Sequence, residues 1–248
     1  MKLRIVIPTV EDQFTLDRLQ HNYTQSSNAE SEISFTFLSK APELDAPFHE
    51  ITSLLPELVF KIKEAEREGV QAVVIAHYLD LGLEAGRELV SIPVIGSGHT
   101  TFRLASVLAR RISIITSVHS HIGPIEDIVA AEGVSAKVVS IRSVEIAQRD
   151  AQNVSQQCPD QLLELSREAV EMDGANLIIL ALQGYDDFSC RVKEHLAIRG
   201  NLVPVLDPLQ VAIKHAENLV DMRVSHSKIT YPHPEIREII GYDHLQFK

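Results

Sequence analysis

The chain has 248 residues, 45% of them apolar and 23% charged, enough for a substantial core and unlike a disordered or fibrous composition. Its formal net charge of −11 argues against nucleic acid or an anionic membrane as main partner, and no run approaches the roughly 18 apolar residues of a membrane span. Two cysteines, Cys158 and Cys190, imply no disulfide framework, and the N-terminal run lacks a signal-peptide core, so the expected location is the cytoplasm.

Short β-branched runs alternate with helical patterns along the whole chain. The predicted strands are LRIVIP from Leu3, ISFTFL from Ile33, AVVIAH from Ala72 and IPVIGSG from Ile92. They continue as RISIITS from Arg111, AKVVSI from Ala136, NLIILAL from Asn176 and LVPVLD from Leu202. Leu54–Glu68 and Gln161–Met172 carry apolar residues at helical spacing. Near-continuous apolar strands separated by helices predict parallel sheet covered on both faces.

The order of elements repeats. Each half has an Arg-led strand, then helix, Gly, buried strand and helix, then a Pro-Val strand. The fold class expected is therefore α/β, as two similar flavodoxin-like lobes with parallel sheets and a crevice between their C-terminal strand ends. The expected lobes are 1–97 with 209–248, and 98–208. No Pro-, Gly- or Ser-rich linker parts them, so close packing is expected. Aligning AVVIAHY with LIILALQ sets His77 opposite Leu182; aligning the opening strands sets Thr9 opposite Thr116.

RIVIPT, AVVIAHYLDLGLEAGRELVSIPVIGSG, RISIITS, EMDGANLIILALQGY and SKITYPHPEI occur in an order that resembles the Asp/Glu/hydantoin racemase superfamily, closest to its hydantoin racemase branch. The likeness implies a cofactor-independent enzyme in which each lobe supplies one cysteine at a strand end. One thiolate takes the α-proton of a small carbon acid and the other thiol returns one to the opposite face. This sequence departs from that pattern at both cysteines, which fall on His77 and Leu182. The family's Asn-rich first turn is Pro8-Thr9-Val10 here. Cys158 and Cys190 do not stand in for the missing pair.

His77 is then the candidate catalytic residue, because a neutral imidazole can take and return a proton near neutral pH. With Leu182 opposite, the expected chemistry is one-base isomerisation or a lyase step through an enolate. Two-base racemisation would need another acid, such as Tyr185, Asp186 or a water. Thr9, Tyr78, Ser97, Gly98, Thr116, Ser117, Gln183 and Gly184 are the candidate substrate-binding residues, since strand-end N–H groups and hydroxyls can hold a carboxylate or carbonyl. Asp186-Asp187 reads as a solvated helix start. His77, His99, His119 and His121 all fall at strand ends, which leaves a metal-dependent hydrolase or lyase as one alternative, although their spacing matches no zinc motif and no metal ligands are assigned. A non-catalytic ligand-binding protein is the other. The expected partner is a small carbon acid such as a hydantoin, amino acid or dicarboxylate, with homo-oligomeric assembly implied by the family.

Overall fold

The computed structural model describes residues 1–24, 27–42, 46, 48–145, 159–182 and 188–235. Among them, the strands form two four-stranded parallel sheets. The first comprises β1 (Lys2–Val10), β2 (Glu32–Leu38), β3 (Ala72–Ile75) and β4 (Val94–Gly96), in the order β2-β1-β3-β4. The second comprises β5 (Ile112–Thr116), β6 (Val138–Ser143), β7 (Leu177–Ala181) and β8 (Val205–Leu206), in the order β6-β5-β7-β8. The identical order bears out the repeat, and every predicted strand is present.

Helices α1 (Gln13–Thr24), α2 (Phe48–Ile51), α3 (Leu55–Arg67), α4 (Leu83–Leu89) and α5 (Ser97–Leu108) alternate with the strands of the first half. Helices α6 (Ile122–Ala131), α7 (Asp160–Glu171), α8 (Phe188–Ile198) and α9 (Pro208–Met222) follow in the second. Helix α3 buries Leu58, Val59, Ile62 and Ala65, the stripe its spacing foretold. Helix α9 starts sharply because the Asp207 carboxylate accepts the amides of Leu209 and Gln210 and Pro208 needs no partner for its nitrogen.

Both faces of each sheet are covered, as parallel strands require. In β1, Leu3, Ile5 and Ile7 pack toward Leu209 and Ile213 of α9, while Val6 points the other way. That other face joins Val73, Ile75 and Leu58 to Phe102 of α5 and to Ile112, Ile114 and Ile179 of the second sheet in one continuous core. The two halves therefore share apolar packing, which explains the missing linker. Helix α9 leaves the second half to pack on α5 and the first sheet. No helix among the described residues is long and apolar enough to cross a membrane.

The ladders revise one alignment. Leu3 pairs with Ala72 and Ile112 pairs with Leu177, so matching His77 to Leu182 sets Thr116 opposite Ile7, two residues before Thr9. The offset is constant along the strands, being present already at Leu3 and Ile112; further along, β1 also loses regular register against β2 between Ile7 and Val10. Pro8 has no N–H for the ladder, and such irregularities re-aim the strand end.

Candidate active site

The residues that follow β3 form the centre of the candidate site. His77 and Tyr78 are 1% and 3% exposed, although both stand in a turn rather than a strand. The turn closes when the Asp80 amide donates to the His77 carbonyl at 2.9 Å. Asp80 adopts φ 52°, a left-handed conformation that Asp tolerates better than most residues. Its carboxylate accepts the amides of Gly98 (2.9 Å) and His99 (2.5 Å) at the start of α5. An anion at a helix N-terminus is favoured by the exposed amides and the helix dipole. The chain thus supplies its own carboxylate there, and the turn carrying His77 is pinned to α5.

Gly98 has no alternative at that junction. A Cβ at this position would fall 1.9 Å from the Tyr78 carbonyl oxygen. Ser97, 2% exposed, has its carbonyl oxygen bonded by the Thr101 hydroxyl at 2.6 Å. Both candidates therefore lie against the His77 turn, with the Gly98 amide directed to Asp80.

The second half contributes from the end of β5. Thr116 is fully buried, and its hydroxyl lies 3.1 Å from the Tyr78 hydroxyl. The same phenol lies 2.5 Å from Nδ1 of His121, which is 1% exposed. Rings of His77 and Tyr78 stack with centroids 5.1 Å apart, and those of His77 and His121 are 6.4 Å apart. Ser117 is buried beside Thr116, and Thr9 is half-buried at the end of β1. Strand ends of both halves thus meet through Tyr78, Thr116 and His121. His121 was singled out in the sequence only as a conceivable metal ligand, and no local pattern pairs it with Tyr78.

His77 has a defined hydrogen-bonding state. Its Nδ1 accepts the Leu79 amide at 3.1 Å, so the proton of the neutral ring resides on Nε2. That Nε2 is buried and has no partner among the described residues. Burial pushes the imidazole down to about 3, and the nearby His121 adds to the effect. Asp80 moves the other way: burial lifts its carboxyl to about 7, against the two amide donors and Arg87, with Glu132 adding to the rise.

These shifts have opposite consequences for stability. The folded state prefers neutral His77, so this contribution is complete above about pH 6.5 and lost as pH falls toward 3. It prefers protonated Asp80, so that contribution is present below about pH 4 and lost as pH rises through 7. In His77→Gln, the destabilisation relative to wild type is expected to shrink on acidification between about pH 6 and pH 4. The change should reach at most about 1.4 kcal/mol per pH unit, measured by urea unfolding. A constant difference across that window would contradict the assignment.

The remaining histidines do not converge. His99 is ion-paired with Glu132, and His119 is exposed on the turn before α6. Among the described residues no three His, Cys, Asp or Glu side chains are grouped to hold a metal. Leu182 is 7% exposed and packs with Ile115 and Phe188. Cys190 is exposed on α8. Gln183, Gly184, Tyr185, Asp186, Asp187 and Cys158 lie outside the described residues.

The family profile described as Asp/Glu/Hydantoin racemase matches residues 15–216. The chain is 29% identical to the hydantoin racemase of Pseudomonas sp. (strain NS671) over 242 residues, 97% of this chain and 95% of that one. It is 31% identical to the hydantoin racemase of Rhizobium meliloti over 189 residues, 76% of each chain. The allantoin racemase structure from Klebsiella pneumoniae superimposes with a TM-score of 0.90 at 20% identity, covering 100% of both chains.

Proposed function

Since this chain belongs to the Asp/Glu/hydantoin racemase family, we propose that it rearranges a proton on a small cyclic carbon acid of the hydantoin type, at the strand ends around His77. Relatives named hydantoin racemase support the substrate class. The observation that carries the reading is the buried Nε2 of His77, which has no partner among the described residues. A buried donor without a partner costs roughly 1–3 kcal/mol, and a substrate oxygen is the natural acceptor to repay it.

The Leu79 contact gives His77 a different part from that of a base. With Nδ1 occupied, the remaining ring nitrogen offers N–H and not a lone pair. A neutral imidazole that donates to a carbonyl stabilises the enolate formed when the adjacent carbon loses its proton. The Tyr78–His121 pair is the proton carrier in this account: as the phenol passes its proton to Nδ1, the phenolate oxygen takes the proton from carbon. Return runs along the same path. Thr116 orients the phenol, Thr9 and Ser117 flank the substrate, and apolar Leu182 closes the opposite face. Proton transfer then occurs on one face, as isomerisation within a substrate or as protonation after a lyase step. The lobes proposed to enclose this site are 1–97 with 209–248, and 98–208.

The test is proton NMR in D₂O with a panel of 5-substituted hydantoins, α-amino acids and substituted malonates. Loss of one C–H signal, or formation of a product, is expected with the wild-type protein. Saturable binding of those compounds without exchange or product would instead support a binding protein on a racemase fold.

A further inference from the structure

A cavity of about 390 Å³ opens between α4, α5, α9 and the segment that follows α9. None of His77, Tyr78, Thr116 or His121 lines it. Its walls bring together Arg87 of α4, His99 and Arg103 of α5, His215 of α9, and His226 and Tyr231 of the following segment. Two guanidinium groups and three imidazoles on four separate segments are an unusual convergence in a chain whose net charge is −11.

The cluster is built rather than loosely assembled. The Arg87 side chain is 6% exposed; its Nε donates to the Val94 carbonyl, and its guanidinium lies 3.2 Å from the Tyr231 hydroxyl and 5.4 Å from that ring's centroid. His226 is anchored on the backbone of Val94 at 3.0 Å. Lys228 donates to the Arg87 and Val90 carbonyls and so holds the segment across the end of α4. Arg103, 60% exposed, pairs with Glu132, which also pairs with His99. Glu84 is the counter-charge on Arg87, and it is 68% exposed.

We propose that this cavity is a second ligand site, which takes a small oxyanion, a carboxylate or a phosphate, between Arg87, Arg103 and the three histidines. A cation is repelled by the two guanidinium groups, whereas an oxyanion meets planar donors suited to it. The volume falls within the range of small-metabolite sites, roughly 300–1,000 Å³.

Binding carries protons with it. All three imidazoles are held below their ordinary value, chiefly by burial. Arg87 adds to this at each, Arg103 at His99, the neighbouring His99 at His215 and His226, and Lys228 at His226; Glu132 opposes it at His99. A bound anion reverses the balance, so binding takes up protons and strengthens as pH falls. An occupant also touches α4 and α5, the two helices that bracket the turn carrying His77.

The experiment is isothermal titration of the full chain with sulfate, which does not titrate near neutrality, and separately with succinate. Chloride holds the ionic strength constant at about pH 6 and about pH 8. Saturable binding of at least one anion is expected, about tenfold or more tighter at the lower pH and weakened about tenfold or more in Arg103→Ala. His77→Gln should bind equally well. Preference for sulfate would indicate a phosphate ligand, and preference for succinate a carboxylate. The site is refuted if neither anion saturates below about 20 mM, or if Arg103→Ala and His215→Ala both bind as wild type does.

Discussion

His77→Ala is expected to slow substrate C–H exchange by about 10²–10³, the usual consequence of deleting one preorganised donor to a developing oxyanion. His77→Gln should stay within about tenfold of wild type, because the Gln amide nitrogen reaches the region of Nε2 and carries hydrogens. The contrast separates two roles that alanine alone confuses. A general base cannot be replaced by an amide, which has no useful basicity, so equal loss in both variants would return His77 to acid/base duty. The pH profile adds a second line. With the imidazole held to about 3, the rate should show no His77 ionisation between about pH 5 and pH 8.

Tyr78→Phe is expected to have the larger effect, a loss of about 10²–10⁴ in exchange, because it removes the proton carrier while keeping the ring stacked on His77. The variant also leaves Thr116 and His121 without the phenol they share, at a cost of roughly 1–3 kcal/mol. That cost is a fraction of ordinary domain stability, so the variant should remain folded. Substrate affinity distinguishes chemistry from collapse. Retained binding with lost exchange supports the assignment, whereas loss of both would reduce Tyr78 to a structural tie between the two halves.

Much of the fold was legible because its determinants are local. Runs such as Ala72–Ile75 and Leu177–Ala181 are apolar on both faces, which is what a covered parallel strand demands. The predicted helices Leu54–Glu68 and Gln161–Met172 appear as Leu55–Arg67 and Asp160–Glu171. The duplicated order of elements and the family motifs then made the architecture readable as two related sheets.

The site was legible only in part, because its decisive contacts join distant residues. His77 drew notice from its place at a strand end, but its tautomer depends on the fold of the turn that brings the Leu79 amide to Nδ1. Asp80 lies eighteen residues from Gly98, and nothing local announces that it caps α5. His121 meets Tyr78 only because the two sheets face each other, a relation that hydrophobic periodicity does not encode. The Thr9–Thr116 alignment shifted for a similar reason, since the register of β1 and β5 against their neighbours is a cross-strand relation that the matching sequence runs do not carry. The cavity around Arg87 draws on the segment after α9, whose return to α4 has no local signal.

The central claim is that His77 is neutral and carries its proton on Nε2. Nitrogen-15 NMR of histidine-labelled protein near pH 7, assigned by difference against His77→Gln, tests this directly. The account predicts a protonated, pyrrole-type Nε2 and an unprotonated Nδ1, with little change down to about pH 5. An unprotonated Nε2, or an imidazolium forming near the ordinary value of about 6.5, would contradict it and restore His77 as the base.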